Sequence, residues 1–150
     1  MSELKEGISA GIRDSMKSGD KVRLSTLRLL SAAIKNKEVE LLHELSDEEI
    51  RDVAVKEAKR RKESIEAYQA GNRPELVAKE RAELEILQVY LPEQLSEAEV
   101  DALIDEAIAS TGATSAKEMG KVMGQVMAKA KGKVDGTVVQ ARVKAKLGAE

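Results

Sequence analysis

The sequence predicts an all-α protein: an N-terminal helical domain of about four helices followed by a small three-helix C-terminal bundle. Three observations carry that expectation. Aromatic residues make up 1% of the 150 residues, with no Phe or Trp, so any core is aliphatic. Apolar residues are 42% and charged residues 35%, which suits amphipathic helices better than a sheet or a disordered chain. Apolar side chains also recur at helical spacing between recognisable start and stop signals, and no alternating strand pattern competes.

The first helix is expected from about Ser2 to Lys17, with Leu4, Ile8, Ile12 and Met16 on one face. Ser18-Gly19 closes it, and Asp20 caps the second helix. That helix turns Leu24, Leu27, Leu30, Ile34 and Leu41 towards a core, with Lys and Arg opposite. Ser46 and Glu49 have the spacing of a capping box. The third helix follows, with Ile50, Val53, Ala54, Ile65 and Tyr68 as its buried stripe and residues 56–62 as a solvated charge run. Gly71 suits a left-handed C-terminal cap and Pro74 the first turn of a fourth helix. Leu76, Val77, Leu84, Leu87 and Leu91 point inward there, and Pro92 stops the helix. Residues 91–95 form the expected hinge, which places domains at 1–92 and 93–150.

Ser96 and Glu99 form a second capping box, followed by Val100, Leu103, Ile104, Ala107 and Ile108, and Gly112 ends that helix. Ser115 and Glu118 make a third box before a methionine-rich helix carrying Met119, Met123, Val126 and Met127. Lys131-Gly132-Lys133 terminates it. Asp135 or Thr137 opens the last helix, which carries Val138, Val139, Val143 and Leu147.

Composition excludes several function classes. With no cysteine, disulfide scaffolds, thiolate metal sites and cysteine nucleophiles are out, and the lone His43 rules out a His-rich metal site. No apolar run approaches the roughly 18 residues of a membrane span, and the N-terminal stretch lacks the apolar core of a secretory leader. The expectation is a cytoplasmic protein that avoids membranes.

The net charge of −2 conceals a polarity. Residues 93–116 hold six acids and no base, whereas residues 117–147 hold eight bases and two acids. The bases are Lys117, Lys121, Lys129, Lys131, Lys133, Arg142, Lys144 and Lys146. One reading is a solvated face balanced in part by the acidic helix. The other is a phosphate-binding patch whose affinity comes from counterion release. With no Phe or Trp and two tyrosines, a stacking platform is nearly excluded, which disfavours single-strand binding, and no DNA sequence reading is expected; shape recognition of folded RNA stays open.

Gly120 and Gly124 are four residues apart, but Lys121 and Gln125 argue against a membrane-helix pairing motif. Glycine in mid-helix costs about 1 kcal/mol relative to alanine, so close approach of a neighbouring helix or a ligand backbone is expected to offset it. The methionines read as core filling. Residues 132–137 look superficially like a nucleotide loop, yet they lack its spacing, so no nucleotide and no other cofactor is expected. His43 is read as structural, its imidazolium favouring the C-terminus of the second helix. Glu57 with Glu63, and Glu80 with Glu83, read as surface carboxylates, and Arg60, Arg61 and Lys62 as solvent-facing. No residue stands out as catalytic or as a metal ligand.

Three stretches carry a family resemblance: Asp20-Lys21-Val22-Arg23-Leu24 with Leu27-Arg28-Leu29-Leu30; Glu83 with Tyr90-Leu91-Pro92-Glu93-Gln94-Leu95-Ser96; and Met119-Gly120-Lys121-Val122-Met123-Gly124 with Lys131-Gly132-Lys133-Val134-Asp135-Gly136. From Leu4 to Leu147 the chain resembles the YqeY family, whose C-terminal part is similar to the tail domain of the B subunit of the tRNA-dependent glutamine amidotransferase. The resemblance implies a helical domain followed by a three-helix domain that contacts the body of a tRNA while chemistry occurs elsewhere. It makes Lys121 and the Lys131-Gly132-Lys133 turn candidates for the RNA contact.

The expected function is a non-catalytic, tRNA-associated accessory module. Lys117, Lys121, Lys129, Lys131, Lys133, Arg142 and Lys144 are its RNA-binding candidates, and Gly120, Gly124 and Gly132 its close-packing or backbone-contact glycines. Two alternatives stand beside it. One is a component or activator of a carbon–nitrogen ligase with glutamine as amide donor, though the chain carries no recognisable amidase nucleophile, phosphate loop or metal cluster. The other is a helical adaptor for a protein partner, such as a component of the translation machinery.

Overall fold

A computed structural model describes residues 2–130 and 132–148. Among the described residues there are seven α-helices and no strand: α1 (Glu3–Ser18), α2 (Lys21–Leu41), α3 (Asp47–Ala70), α4 (Pro74–Leu87), α5 (Glu97–Thr111), α6 (Met119–Ala130) and α7 (Gly136–Lys146). Single 3-10 turns at Gln88–Tyr90 and Ala116–Glu118 follow α4 and precede α6. The helices gather into two compact units, Met1–Leu91 and Pro92–Glu150, each with its own core.

Local chemistry sets the helix ends. Ser46 accepts the Glu49 N–H at 3.2 Å while the Glu49 carboxylate accepts the Ser46 N–H at 3.0 Å. Ser96 and Glu99 repeat this at 3.2 and 3.1 Å. Each box satisfies two donors that a helix start leaves open. Gly19 (φ 77°) and Gly112 (φ 69°) close α1 and α5 in the left-handed region. Gly71 departs from expectation: its φ is −84°, and Asn72 at φ 55° takes the left-handed position instead. The Arg73 N–H then reaches back to the Tyr68 carbonyl at 2.8 Å, so the chain reverses one residue later than the glycine suggested. Leu42 (φ 60°) closes α2 in the same region without a glycine.

In the first unit Ile8, Leu27, Leu30, Ile34, Leu45, Ile50, Ala54, Leu87 and Tyr90 form the core. Helix α1 approaches α2 through small residues. Gly11 and Ser15 are buried, and the Ser15 hydroxyl donates to the Gly11 carbonyl at 2.7 Å. That crossing rotates Met16, expected inward, out to solvent, and Leu41 at the end of α2 is exposed as well.

The larger correction concerns charge. Glu57 and Arg61 of α3 and Glu83 of α4, expected at the surface, are buried. Arg61 Nη1 donates to Glu57 Oε2 at 2.5 Å and to the Glu57 carbonyl at 3.2 Å, and its Nε lies 3.7 Å from Glu83 Oε2. Two helices packed along a charged stripe bury it as ion pairs, and a helical wheel of one sequence segment does not reveal that. Burial, and then the charge of Glu83, raise the pKa of the nearby Glu80 carboxyl.

The second unit packs Val100, Ile104, Ala107, Ala113, Val122, Val126, Val139, Val143 and Leu147 together, with Met119, Met123 and Met127 around them. The methionines thus fill the core as expected.

Acid sensitivity follows from the caps. Backbone N–H groups donating to the carboxylates of Glu49, Glu99 and Glu118 lower their pKa values, and the Lys5 ammonium does the same for Glu38. A carboxyl whose folded pKa is depressed stabilises the fold above its unfolded value, and that contribution is lost as pH falls through the folded value. The melting temperature is expected to fall as pH drops below about 4.5. Glu49→Gln with Glu99→Gln should flatten that slope in thermal melts across a pH series.

Candidate nucleic-acid interface

The acidic helix α5 takes up part of the basic cluster that follows it. Glu97, Asp101 and Asp105 stand one turn apart on the same side of α5. Arg142 of α7 donates to Asp101 at 2.8 Å and lies 3.2 Å from Glu97, while Lys146 reaches Asp105 at 2.8 Å. Lys129 of α6 pairs with Glu106. Hydrogen bonds to Asp101 and Asp105 raise the pKa values of Arg142 and Lys146, which therefore stay charged throughout the neutral range. Lys129 and Arg142, two of the RNA-binding candidates, are thus partnered inside their own unit.

Lys117, Lys121, Lys133 and Lys144 keep exposed side chains, and among the described residues none has an ion-pair partner. Lys117 in the 3-10 turn and Lys121 in α6 are four residues apart, on successive turns of one side. Gly120, Gly124 and Ala128 are exposed beside them. Lys144 stands on the exposed side of another helix, α7. Lys131 lies outside the described residues.

A methyl group added at Gly120 or Gly124 would have nothing within 4 Å. No helix of this unit comes close to them, so the expected offsetting helix contact does not occur. Gly132 has a different role: φ of 74° lets the chain turn out of α6. The Gly132 carbonyl accepts from Gln94 Nε2 at 2.9 Å and the Lys133 carbonyl from the Leu95 N–H at 2.9 Å. Gln94 and Leu95 of one family-like stretch therefore meet Gly132 and Lys133 of another, and the first pair pins the turn that presents Lys133. Composition and charge singled out neither Gln94 nor Leu95; only the motif pointed to them.

Elsewhere the structure offers little for chemistry. His43 lies beyond the end of α2, with Nδ1 2.8 Å from the Glu44 carbonyl and Nε2 3.6 Å from a Glu49 carboxylate oxygen. Its close partners are in the following loop and α3, and Glu38 in the last turn of α2 is near enough to feel its charge. Among the described residues no group of three or more His, Cys, Asp or Glu side chains could hold a metal ion. No described helix is long and apolar enough to cross a membrane.

The fold and this surface define an all-helical, two-unit protein with a partly neutralised basic cluster in its second unit. A family model described as Yqey-like protein matches residues 5–147, and the chain belongs to the YqeY family. It is similar to Altered inheritance of mitochondria protein 41, mitochondrial, of Lachancea thermotolerans: 38% identical over 94 residues, 61% of this chain and 50% of the relative. The protein of the same name from Saccharomyces cerevisiae is 32% identical over 95 residues, 63% of this chain and 51% of the relative. The chain thus spans about half the length of the curated relatives it matches. These names correct the cytoplasmic expectation, because the relatives are named as mitochondrial proteins. A search for apolar leaders and spans does not separate cytoplasm from an organelle, because organelle targeting segments are amphipathic.

Proposed function

We propose that the chain is a non-catalytic RNA-binding accessory module. Folded tRNA is the first ligand to test, held by the second unit through Lys117, Lys121, Lys133 and Lys144. One observation carries this reading. After the acids of α5 have paired with Lys129, Arg142 and Lys146, these four lysines keep exposed side chains with no carboxylate at ion-pair distance among the described residues, and Glu118 and Glu99 act on Lys121 and Lys133 only from further away. Phosphates are acceptors that such lysines satisfy, and the unobstructed backbone at Gly120 and Gly124 lets a polynucleotide approach α6 closely. The family's resemblance to an amidotransferase tail supports tRNA among folded RNAs.

The test is retention of total tRNA by the full chain across a salt series. Binding should weaken linearly on log–log axes. Lys117→Gln, Lys121→Gln, Lys133→Gln and Lys144→Gln together should lower the slope by about three to four. Lys129→Gln and Arg142→Gln should change it much less, because those cations already have partners. No retention at low salt, or equal effects from the paired and unpaired sets, would refute the assignment.

A further inference from the structure

The second face of α2 is unused by the fold. Thr26, Leu27, Leu30 and Ile34 face the core of the first unit. Opposite them, Val22, Ser25, Leu29, Ala32, Asn36 and Val39 all lie exposed at alternating three- and four-residue spacing. That is the a/d seam of a coiled coil, about 30 Å long if the whole helix is used. Val22, Leu29 and Val39 are 42%, 52% and 68% exposed. Asn36 occupies an a position, where a polar residue fixes register at some cost in strength.

One flank of the seam is cationic. Lys21, Arg28 and Lys35 recur at seven-residue spacing, are exposed, and hold no ion pair among the described residues. The Arg28 guanidinium donates to the Met16 sulfur at 3.6 Å, which brings another exposed apolar side chain to the edge. No acid occurs between Lys21 and Lys37. Lys21 and Arg23 occupy the first turn of α2, where a helix dipole disfavours cations, and the one acid there is the N-cap Asp20, whose carboxylate accepts the Arg23 N–H at 3.1 Å. A row of exposed cations beside exposed valine and leucine points to a use outside the unit. An open groove of about 450 Å3 beside Val22, lined by Asp20, Arg23, Glu85, Ile86 and the exposed Val89, adjoins one end of this face with mixed apolar and charged walls.

We propose that this face docks an amphipathic helix of a partner protein, with an apolar seam and Glu or Asp along its flanks. Charge complementarity selects that occupant. A second copy of the chain brings the same cation row and, along this face, only Glu40 to meet it. RNA phosphates would satisfy the cations but leave Val22, Leu29 and Val39 without a gain. The inference rests on the first unit alone and is independent of RNA binding by the second.

The test uses the full chain and a labelled three-heptad peptide with Leu at a and d and Glu at e and g, which its own charge keeps from self-pairing. Its control carries Lys at e and g. Anisotropy should show saturable binding of the acidic peptide only. Leu29→Ser with Val39→Ser should weaken binding about tenfold or more by removing buried apolar area, with the fold checked by circular dichroism. Lys21→Glu, Arg28→Glu and Lys35→Glu together should transfer binding to the Lys-flanked peptide. Absence of saturable binding would overturn the proposal. So would binding indifferent to Leu29 and Val39, or a dimer in sedimentation that the triple charge reversal dissolves. Loss of tRNA retention in that triple variant, with acidic-peptide binding unchanged, would give the face to RNA.

Discussion

Arg61→Leu is expected to cost about 3–5 kcal/mol of stability, the penalty for removing one partner of a buried ion pair. The substitution leaves the buried Glu57 and Glu83 without the guanidinium that lies against both. Arg60, the other cation near Glu57, is mostly exposed and 3.6 Å away, so it compensates little. Urea unfolding at pH 7 measures the loss, and a change below about 1 kcal/mol would show that water reaches the cluster freely. Replacing Glu57, Arg61 and Glu83 together with apolar residues should be far milder, because no charge is then stranded.

Glu80 supplies a check with the opposite sign. A carboxyl with a raised folded pKa stabilises the fold below its unfolded value, and that contribution is lost as pH rises through the folded value. Glu80→Gln should therefore raise the melting temperature at pH 7 relative to the parent and make little difference near pH 4.

Gly11→Val and Gly124→Ala are expected to change stability in opposite directions. A Cβ at Gly11 would lie 2.8 Å from Leu27 Cδ1 and 3.2 Å from Arg23 Nη2. Leu27 is fully buried, so its side chain or the spacing of α1 and α2 has to shift within a packed core. Overpacking of this kind costs about 1–3 kcal/mol. A Cβ at Gly124 meets nothing within 4 Å, and alanine there should recover about 1 kcal/mol of helix propensity. Thermal melts of the two variants decide the matter, and a stabilised Gly11→Val would contradict the close crossing. If Gly124→Ala stabilises the protein while weakening tRNA retention, the bare α6 backbone is part of the RNA contact.

Helix ends were the most legible part of the fold, because they depend on residues within about four positions of one another. The Ser46–Glu49 and Ser96–Glu99 boxes and the glycines at 19 and 112 stand where their chemistry requires. Gly71 shows the limit of such reading: glycine permits a left-handed residue but does not compel one, and Asn72 took the position. The candidate site was legible as a cluster of bases but not as a surface. Arg142 and Asp101 are 41 residues apart in sequence, so local spacing could not tell which cations α5 neutralises.

By itself, the sequence determined the helical class, the order and approximate ends of the seven helices, and the opposite charges of the two parts of the second unit. These follow from local hydrogen bonding, helical periodicity and composition. Tertiary structure alone decided that Arg61 is buried, that Met16 is not, that Gly11 is a crossing point while Gly124 is bare, and which lysines remain unpaired. Each of these depends on what a neighbouring helix places against the residue. Burial and ion pairing are properties of that juxtaposition, and a helix's own sequence does not contain its neighbour.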